Sequence, residues 1–292
     1  MVHGLRGLDR CSSGLSWAYQ PELGRCPAES AVVLSGVDVL RHALAHKREG
    51  RCGRLLAGPN LMILPDQHGG ILVSEEIDAV LVPSEWVRTM YEQRSPALAG
   101  RIAVWAAGVD PTFWRPYGQA RRRLVLIYNK LQRRRAQAVR DLVARLGHPT
   151  ALVSYGTYSP ARYRRLLNSS IAVVFLTESE SQGLALAEAW AMDVPTFVID
   201  NRQRLVGGRP VEVSTAPYLS AATGRFWSDP EELEICLSAP ALSRFAPRDW
   251  VLDHMSDQVC ARKLVAIALP EAASHASSTE RKGTVIGASP LH

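Results

Sequence analysis

A chain of 292 residues, 47% hydrophobic and 21% charged, is long enough to bury one large core or two modest ones, which excludes a disordered or fibrous protein. Its formal charge of +6, with arginines bunched at 121–123, 133–135 and 162–165, favours anionic partners such as nucleotide phosphates or lipid head groups. Nucleic acid is not expected, because no nucleic-acid-reading motif accompanies the charge.

Residues 1–30 mix Gly, Ser, Pro and Arg without a period and read as an irregular arm. Short apolar runs then alternate with helix-like stretches: AVVL (31–34), VDVLRHALAHKRE (37–49), RLLA (54–57), DAVLVP (78–83), EWVRTMYEQ (85–93) and RIAVWA (101–106). This alternation predicts a mostly parallel sheet covered on both faces. A Pro- and Gly-bearing stretch at 108–123 reads as a linker. The alternation restarts with LVLIY (124–128), a helix over 133–147, ALVSY (151–155), a helix over 160–168, IAVVFL (171–176), a helix over 184–192 and PTFVI (195–199). Helices are expected over 229–242 and 249–269, and the composition from 271 onward predicts a disordered tail.

The expected organisation is therefore an arm (1–30), a reduced Rossmann-like domain (31–118), a second Rossmann-like domain with a C-terminal helix (119–270) and a tail (271–292). Two such domains would face a cleft, and ligands of open α/β sheets bind outside the carboxyl ends of the strands. Cys11, Cys26, Cys52, Cys236 and Cys260 are odd in number and contain no C-x-x-C pair, so no disulfide framework or zinc site is expected, and a reducing cytoplasm fits. No apolar run approaches the ~20 residues that span a bilayer, and the first residues lack a signal-peptide stretch. The expectation is a cytoplasmic protein, at most peripheral at a membrane; Arg162, Arg164 and Arg165 read first as a solvated helix face and second as a surface for a membrane.

The stretch ESQGLALAE, from Glu180 to Glu188, carries the chemistry. It follows a buried strand and opens a helix on which Leu184, Glu188 and Met192 share one face. Glu188 is the one charged group on that face, and an unpaired buried polar group costs about 2–7 kcal/mol. Pairing with a structural arginine or a backbone amide would satisfy it. The alternative is a ligand: Gly183 admits close approach, and the N–H groups opening the next helix suit a phosphate. Glu188 could then accept hydrogen bonds from vicinal ribose hydroxyls, while Glu180 reaches the group beyond the phosphates.

In this spacing the chain resembles a GT-B glycosyltransferase of the glycosyltransferase family 4 type. Glu180 and Glu188 reproduce its E-x7-E motif, and EAWAMDVPTFV is similar to its continuation. IDAVLVPSEWVRTMY (77–91), RIAVWAAGVDPTFWRP (101–116) and VSYGTYSPARYRRLL (153–167) resemble further segments in the family's order. The resemblance implies a hexosyltransferase with a UDP- or GDP-linked sugar as donor substrate, retaining and without metal or other cofactor. The implied acceptor is a glycan, a lipid-linked molecule or a small molecule.

By that resemblance Glu180 contacts the donor sugar, Gly183 and Leu184 offer N–H groups to the diphosphate, Glu188 holds the ribose, and Gly156 with Thr157 lies against the base. Lys130 and Arg135 stand where the family has an arginine and then a lysine to neutralise the leaving diphosphate. No D-x-D triad occurs, and Glu76-Ile77-Asp78, its nearest imitation, reads as structural. On the acceptor side, Asp66 and His68 of PDQHGG are candidates for a base or an acceptor contact or else belong to a plain turn built from Pro65, Gly69 and Gly70, Asn60 either faces the cleft or satisfies backbone, and Gly36 either admits a phosphate or turns the chain. The acceptor-side domain is shorter than the family's, and the donor domain lacks one strand–helix unit. A catalytically silent GT-B protein that binds a sugar nucleotide or supports a partner subunit is thus the alternative, with a sugar-nucleotide epimerase third. No G-x-S-x-G elbow or G-x-x-x-x-G-K-[ST] loop supports a hydrolase or kinase.

Overall fold

The computed structural model describes residues 8, 15–20, 28–118, 122–130, 133–238, 242–270 and 281–286. The chain divides into two compact units, residues 1–108 with 258–292, and residues 109–257.

The first unit opens with β1 (Leu15–Gln20) and continues through β2 (Ala28–Val33), α1 (Val37–Arg48), β3 (Cys52–Ala57), β4 (Ala79–Val82), α2 (Glu85–Arg94) and β5 (Ile102–Val104). Helix α1 buries Leu40, Ala43 and Leu44, one stripe at helical spacing, and carries Asp38 in its first turn and His46, Lys47 and Arg48 in its last, matching the helix dipole. Strand β4 is buried along its whole length, as a strand covered on both faces must be. Glu76 pairs with Arg48 at 2.5 Å, and Asp78 accepts from Lys47 at 2.9 Å and from the Leu55 N–H at 2.7 Å. Both acids of the D-x-D imitation are thus occupied in holding α1 and β3 in place.

The second unit holds β6 (Leu124–Asn129), α3 (Arg133–Arg145), β7 (Thr150–Ser154), α4 (Pro160–Asn168), β8 (Ser170–Leu176), α5 (Leu184–Ala191), β9 (Thr196–Ile199), the hairpin β10 (Gln203–Val206) and β11 (Arg209–Glu212), β12 (Gly224–Trp227), α6 (Pro230–Leu237) and α7 (Pro247–His254). Its main sheet is parallel throughout, in the order β12-β9-β8-β6-β7. Val125, Ile127, Ala172, Val174 and Phe197 from the strands meet Val139 and Val143 of α3 and Leu233 of α6 in one core. The α4 N-terminus is capped by Ser159, whose Oγ accepts from the Arg162 N–H, and Pro160 occupies the first turn. Asp229 caps α6 in the same way. On the other face, Trp190 donates to Thr196 Oγ1 at 2.9 Å and meets Trp250 edge-on, joining α5 to β9 and α7.

Gly224 lies opposite Thr196 in the β12–β9 pair, and a Cβ there would come within 1.9 Å of the Thr196 carbonyl oxygen. Gly224→Ala is therefore expected to cost ~3 kcal/mol or more, because the obstacle is strand backbone and cannot swing aside. A urea midpoint indistinguishable from that of the parent protein would refute this.

The chain then returns to the first unit through α8 (Asp257–Ala268), and β13 (Arg281–Ile286) enters its sheet, giving the parallel order β1-β13-β2-β3-β4-β5. Ala261, Leu264 and Ala268 pack with Leu34, Leu56 and Trp105, and Trp105 donates its indole N–H to the Cys260 carbonyl at 2.8 Å.

Four expectations are corrected here. The single helix over 249–269 is two, because Met255 and Asp257 pair their backbone with Val109 instead of continuing the helix. The boundary falls at 108/109 rather than 118/119, and α8 belongs to the first unit. Residues 109–118 are stitched into the second unit: Arg248 donates to the carbonyls of Pro111, Trp114 and Ala191, and Asn168 exchanges two hydrogen bonds with Tyr117. Finally, β1 lies in the expected arm and β13 in the expected tail, where the run Thr284-Val285-Ile286 has the β-branched character that the segment's average composition conceals. The rest of the arm and tail lies outside the described residues.

Candidate functional site

The second unit gathers its functional side chains at the carboxyl ends of β6, β7 and β8. Strand β8 runs into buried Thr177 and the loop 178–183, which ends at Gly183 with φ of 81°. Gly183 caps α5 in the left-handed region, where a side chain would be strained, and a Cβ there would also press on the Leu186 Cδ1 methyl at 2.7 Å. The Leu186 and Ala187 N–H groups donate to the Gly183 carbonyl at 3.0 and 3.2 Å, whereas those of Leu184 and Ala185 begin the helix ahead of any intrahelical acceptor. Strand β6 delivers Asn129 and Lys130, the latter fixed by its N–H to the Leu176 carbonyl at 2.8 Å.

Lys130 Nζ meets Glu180 Oε1 at 3.0 Å, both side chains largely withdrawn from water, and Thr177 Oγ1 donates to the same carboxylate oxygen at 3.1 Å. Lys130 also stands 4.6 Å from the centroid of the Tyr155 ring, which is 61% exposed. Tyr155 is the residue before Gly156, whose φ of 77° turns the chain after β7 with open space around it, and Thr157 donates back to the Ser154 carbonyl.

Glu188, one turn into α5, is partly buried, and its carboxyl has no hydrogen bond or ion pair among the described residues. Desolvation pushes its carboxyl up to about 8. Beside it lies a group of phenols: Tyr158 donates to Tyr128 at 3.1 Å, Tyr163 donates to the Ala185 carbonyl at 2.9 Å, and the three rings pack with centroids between 5.1 and 5.9 Å apart. Burial above all, with the neighbouring Glu188 and Glu180 charges adding to it, raises Tyr158 to about 12, while Tyr128 and Tyr163 are raised well above the usual phenol value, burial being the largest cause for each. These rings stay neutral at any physiological pH and can only donate or accept hydrogen bonds.

Of the residues singled out from sequence, the structure brings Lys130, Glu180, Gly183, Leu184, Glu188, Gly156 and Thr157 to one sheet edge. Arg135 does not join them. It lies in the first turn of α3, on a groove of about 480 Å³ between α3 and α6 that Ile199, Trp227 and Leu233 floor. Lys130 is thus in contact with Glu180, while Arg135 is seen lining the α3–α6 groove. Gly36, Asn60, Asp66 and His68 belong to the first unit. Gly36 caps α1 with φ of 93°, Asn60 is exposed and donates its backbone N–H to the Leu34 carbonyl, Asp66 accepts from Arg94 at 3.4 Å, and His68 is exposed in a turn at φ of 52°.

Sequence reasoning misses the tyrosines and the hairpin. Tyr128 reads as one more strand residue of LVLIY, although a tyrosine closing an otherwise aliphatic strand marks a polar tip at the carboxyl edge. The hairpin residue Arg204 donates to Ser179 Oγ at 2.9 Å, beside Glu180, and the Gly207-Gly208 turn is the available signal.

No family model matches the chain, and no curated protein matches its sequence. Solved structures do match in shape. HepE of Anabaena in complex with UDP superposes with a TM-score of 0.57 at 10% identity, covering 82% of this chain and 78% of its own. The sucrose-phosphate synthase of Thermosynechococcus elongatus gives 0.56 at 15% identity, covering 84% and 74%. The fold is GT-B. A structure of the GtfA/B complex matches with 0.56 at 12% identity, covering 86% of this chain and 59% of that one. At these identities the likeness establishes the GT-B architecture and no more. Among the described residues of this GT-B chain no helix is long and apolar enough to cross a membrane, and no three His, Cys, Asp or Glu side chains gather as a metal site.

Proposed function

We propose that the protein is a glycosyltransferase that takes a sugar from a UDP- or GDP-linked donor bound at the second unit. The observation that carries this reading is the Lys130–Glu180 ion pair beside the Gly183-capped start of α5, with the Glu188 carboxyl, which makes no hydrogen bond among the described residues, one turn behind it. A diphosphate at the helix start meets first-turn N–H groups and the positive end of the dipole. Lys130 then stabilises the charge that develops on the departing diphosphate, the main electrostatic task of the reaction. In this reading Glu180 steadies the sugar as positive charge grows at its anomeric carbon. Glu188 takes the ribose hydroxyls, and Gly156 with Thr157 offers backbone to the base. The UDP bound by HepE, a protein of the same fold, supports the choice of donor class.

In this reading transfer is retaining and the leaving group is served by Lys130 rather than by a metal. The acceptor is a glycan, a lipid-linked molecule or a small molecule. A second reading is a GT-B protein that binds a sugar nucleotide without transferring it; Arg135, the second expected cation, lines the α3–α6 groove and makes no ion pair among the described residues. The likeness to the GtfA/B complex supports a partner subunit in that case.

The test is a thermal-shift screen against UDP, GDP, their common sugar conjugates and NAD. One nucleoside diphosphate class is expected to raise the midpoint by about 4 °C or more at saturating concentration, with NAD inert. If none of them shifts it, the donor-site reading fails. Release of nucleoside diphosphate from the stabilising conjugate then separates the transferase from the silent binder.

A further inference from the structure

The hairpin β10–β11 is the part of the second unit that neither the E-x7-E spacing nor the main sheet explains. It closes through Gly207 and Gly208, both at positive φ (55° and 76°), the two-residue turn that suits a twisted antiparallel pair. Its ladder is regular from Gln203 opposite Glu212 to Val206 opposite Arg209, and the Val213 N–H donates to the Arg202 carbonyl at 2.9 Å to seal its base. The hairpin is thus a stiff arm.

Every foot of this arm is tied to the loop that carries Glu180. Before it, Asn201 Nδ2 donates to the Glu178 carbonyl at 2.6 Å; after it, the Ser214 carbonyl accepts from the Glu180 N–H at 2.8 Å. From the first strand of the arm itself, Arg204 donates to Ser179 Oγ at 2.9 Å and stands 3.7 Å from Glu178 Oε2. Three consecutive loop residues are therefore held from one side, and on the other side the Glu180 carboxylate reaches Lys130 and Thr177. The hairpin thus fixes the backbone of 178–180, while Lys130 and Thr177 receive the Glu180 carboxylate.

We propose that Arg204 is a positioning residue, which locks the loop 178–180 onto the hairpin so that the Glu180 carboxylate stays registered with Lys130 during donor turnover. The proposal rests on the transferase reading above. Arg204 acts through Ser179 and Glu178, the loop residues that precede Glu180. A loop carboxylate displaced by about 1 Å can cost on the order of 100-fold in rate without loss of binding.

The experiment compares the full-length parent protein with Arg204→Ala, Arg204→Lys and, as a hairpin control, Leu205→Ala, whose side chain is 69% exposed. Two quantities are read: amide hydrogen exchange of peptides spanning 177–183, and release of nucleoside diphosphate from the sugar nucleotide that stabilises the parent. Arg204→Ala is expected to speed exchange at these peptides on the order of 10-fold and to lower kcat on the order of 10-fold with KM unchanged. Arg204→Lys should recover part of both, since one ammonium can still reach Ser179, and Leu205→Ala should match the parent. Unchanged exchange in Arg204→Ala, or raised exchange with an unchanged kcat, overturns the proposal. A parent protein that turns over no sugar nucleotide overturns the transferase reading itself, a result distinct from an active parent indifferent to Arg204.

Discussion

Glu188→Gln is expected to make the protein more stable at pH 8.5 and to leave it unchanged at pH 5. In the folded chain desolvation pushes the Glu188 carboxyl up to about 8 from the ordinary carboxylate value of 4.5. Between those two pH values the native state keeps a proton that the unfolded chain has released. Stability therefore falls as pH rises through this window and levels off above it. Each pH unit within the window is worth about 1.4 kcal/mol, and with one side of the group partly open to water the expected loss is about 3 kcal/mol. Glutamine keeps the shape and abolishes the titration, so its urea midpoints should not show the fall. Parallel pH profiles for the two proteins would sink the idea. The same side chain gives a ligand test. If Glu188 accepts from the ribose diol, Glu188→Ala should lower affinity for the preferred nucleoside diphosphate on the order of 10- to 100-fold, the cost of leaving one or two desolvated hydroxyls without a partner. The variant should also lose the preference for a ribo- over a 2′-deoxyribonucleotide. A purely structural carboxyl would show neither effect.

Why a chain places Glu188 in LALAEAWAM is answerable from sequence only in outline. Apolar spacing puts Glu188 on the buried face of a helix, and the alternation of short apolar strands with helices predicts two Rossmann-like units, because parallel strands covered on both faces carry their burial in the local sequence. Lys130 is legible for a related reason: the residue after a buried strand sits at the sheet's carboxyl edge. What stays illegible depends on contacts distant in sequence. The break at Met255–Ser256 exists because Val109, far away in the chain, supplies the backbone partners. Arg164 reads as part of a basic surface, yet its guanidinium lies 4.9 Å from the Phe113 ring centroid and 4.4 Å from that of Tyr117, and no local pattern announces those rings. Arg135 is named by resemblance alone, and that it lines a groove with Trp227 depends on the packing of α3 beside β12 and α6, which no local pattern announces.

The two halves of the Lys130–Glu180 pair should respond to substitution with opposite signs in binding and the same sign in turnover. At 3.0 Å, with side chains 24% and 15% exposed, the pair attracts far more strongly than it would in water, so before donor arrives Glu180 holds most of the field of Lys130 to itself. An incoming diphosphate must compete for that ammonium. Glu180→Gln removes the competitor while Thr177 can still hydrogen-bond the amide, and affinity for the nucleoside diphosphate is expected to rise on the order of 10-fold, with a steeper dependence on salt. Turnover of the sugar nucleotide should nevertheless fall on the order of 100-fold, because the negative charge beside the reacting sugar is gone. Lys130→Ala should weaken diphosphate binding on the order of 10-fold or more and slow turnover as well, since the leaving group loses its cation. Equilibrium titration with UDP and GDP, beside initial rates of nucleoside diphosphate release, reads all four quantities. If Glu180→Gln weakens binding as Lys130→Ala does, the two residues form a structural ion pair and the charges that move the reaction lie elsewhere.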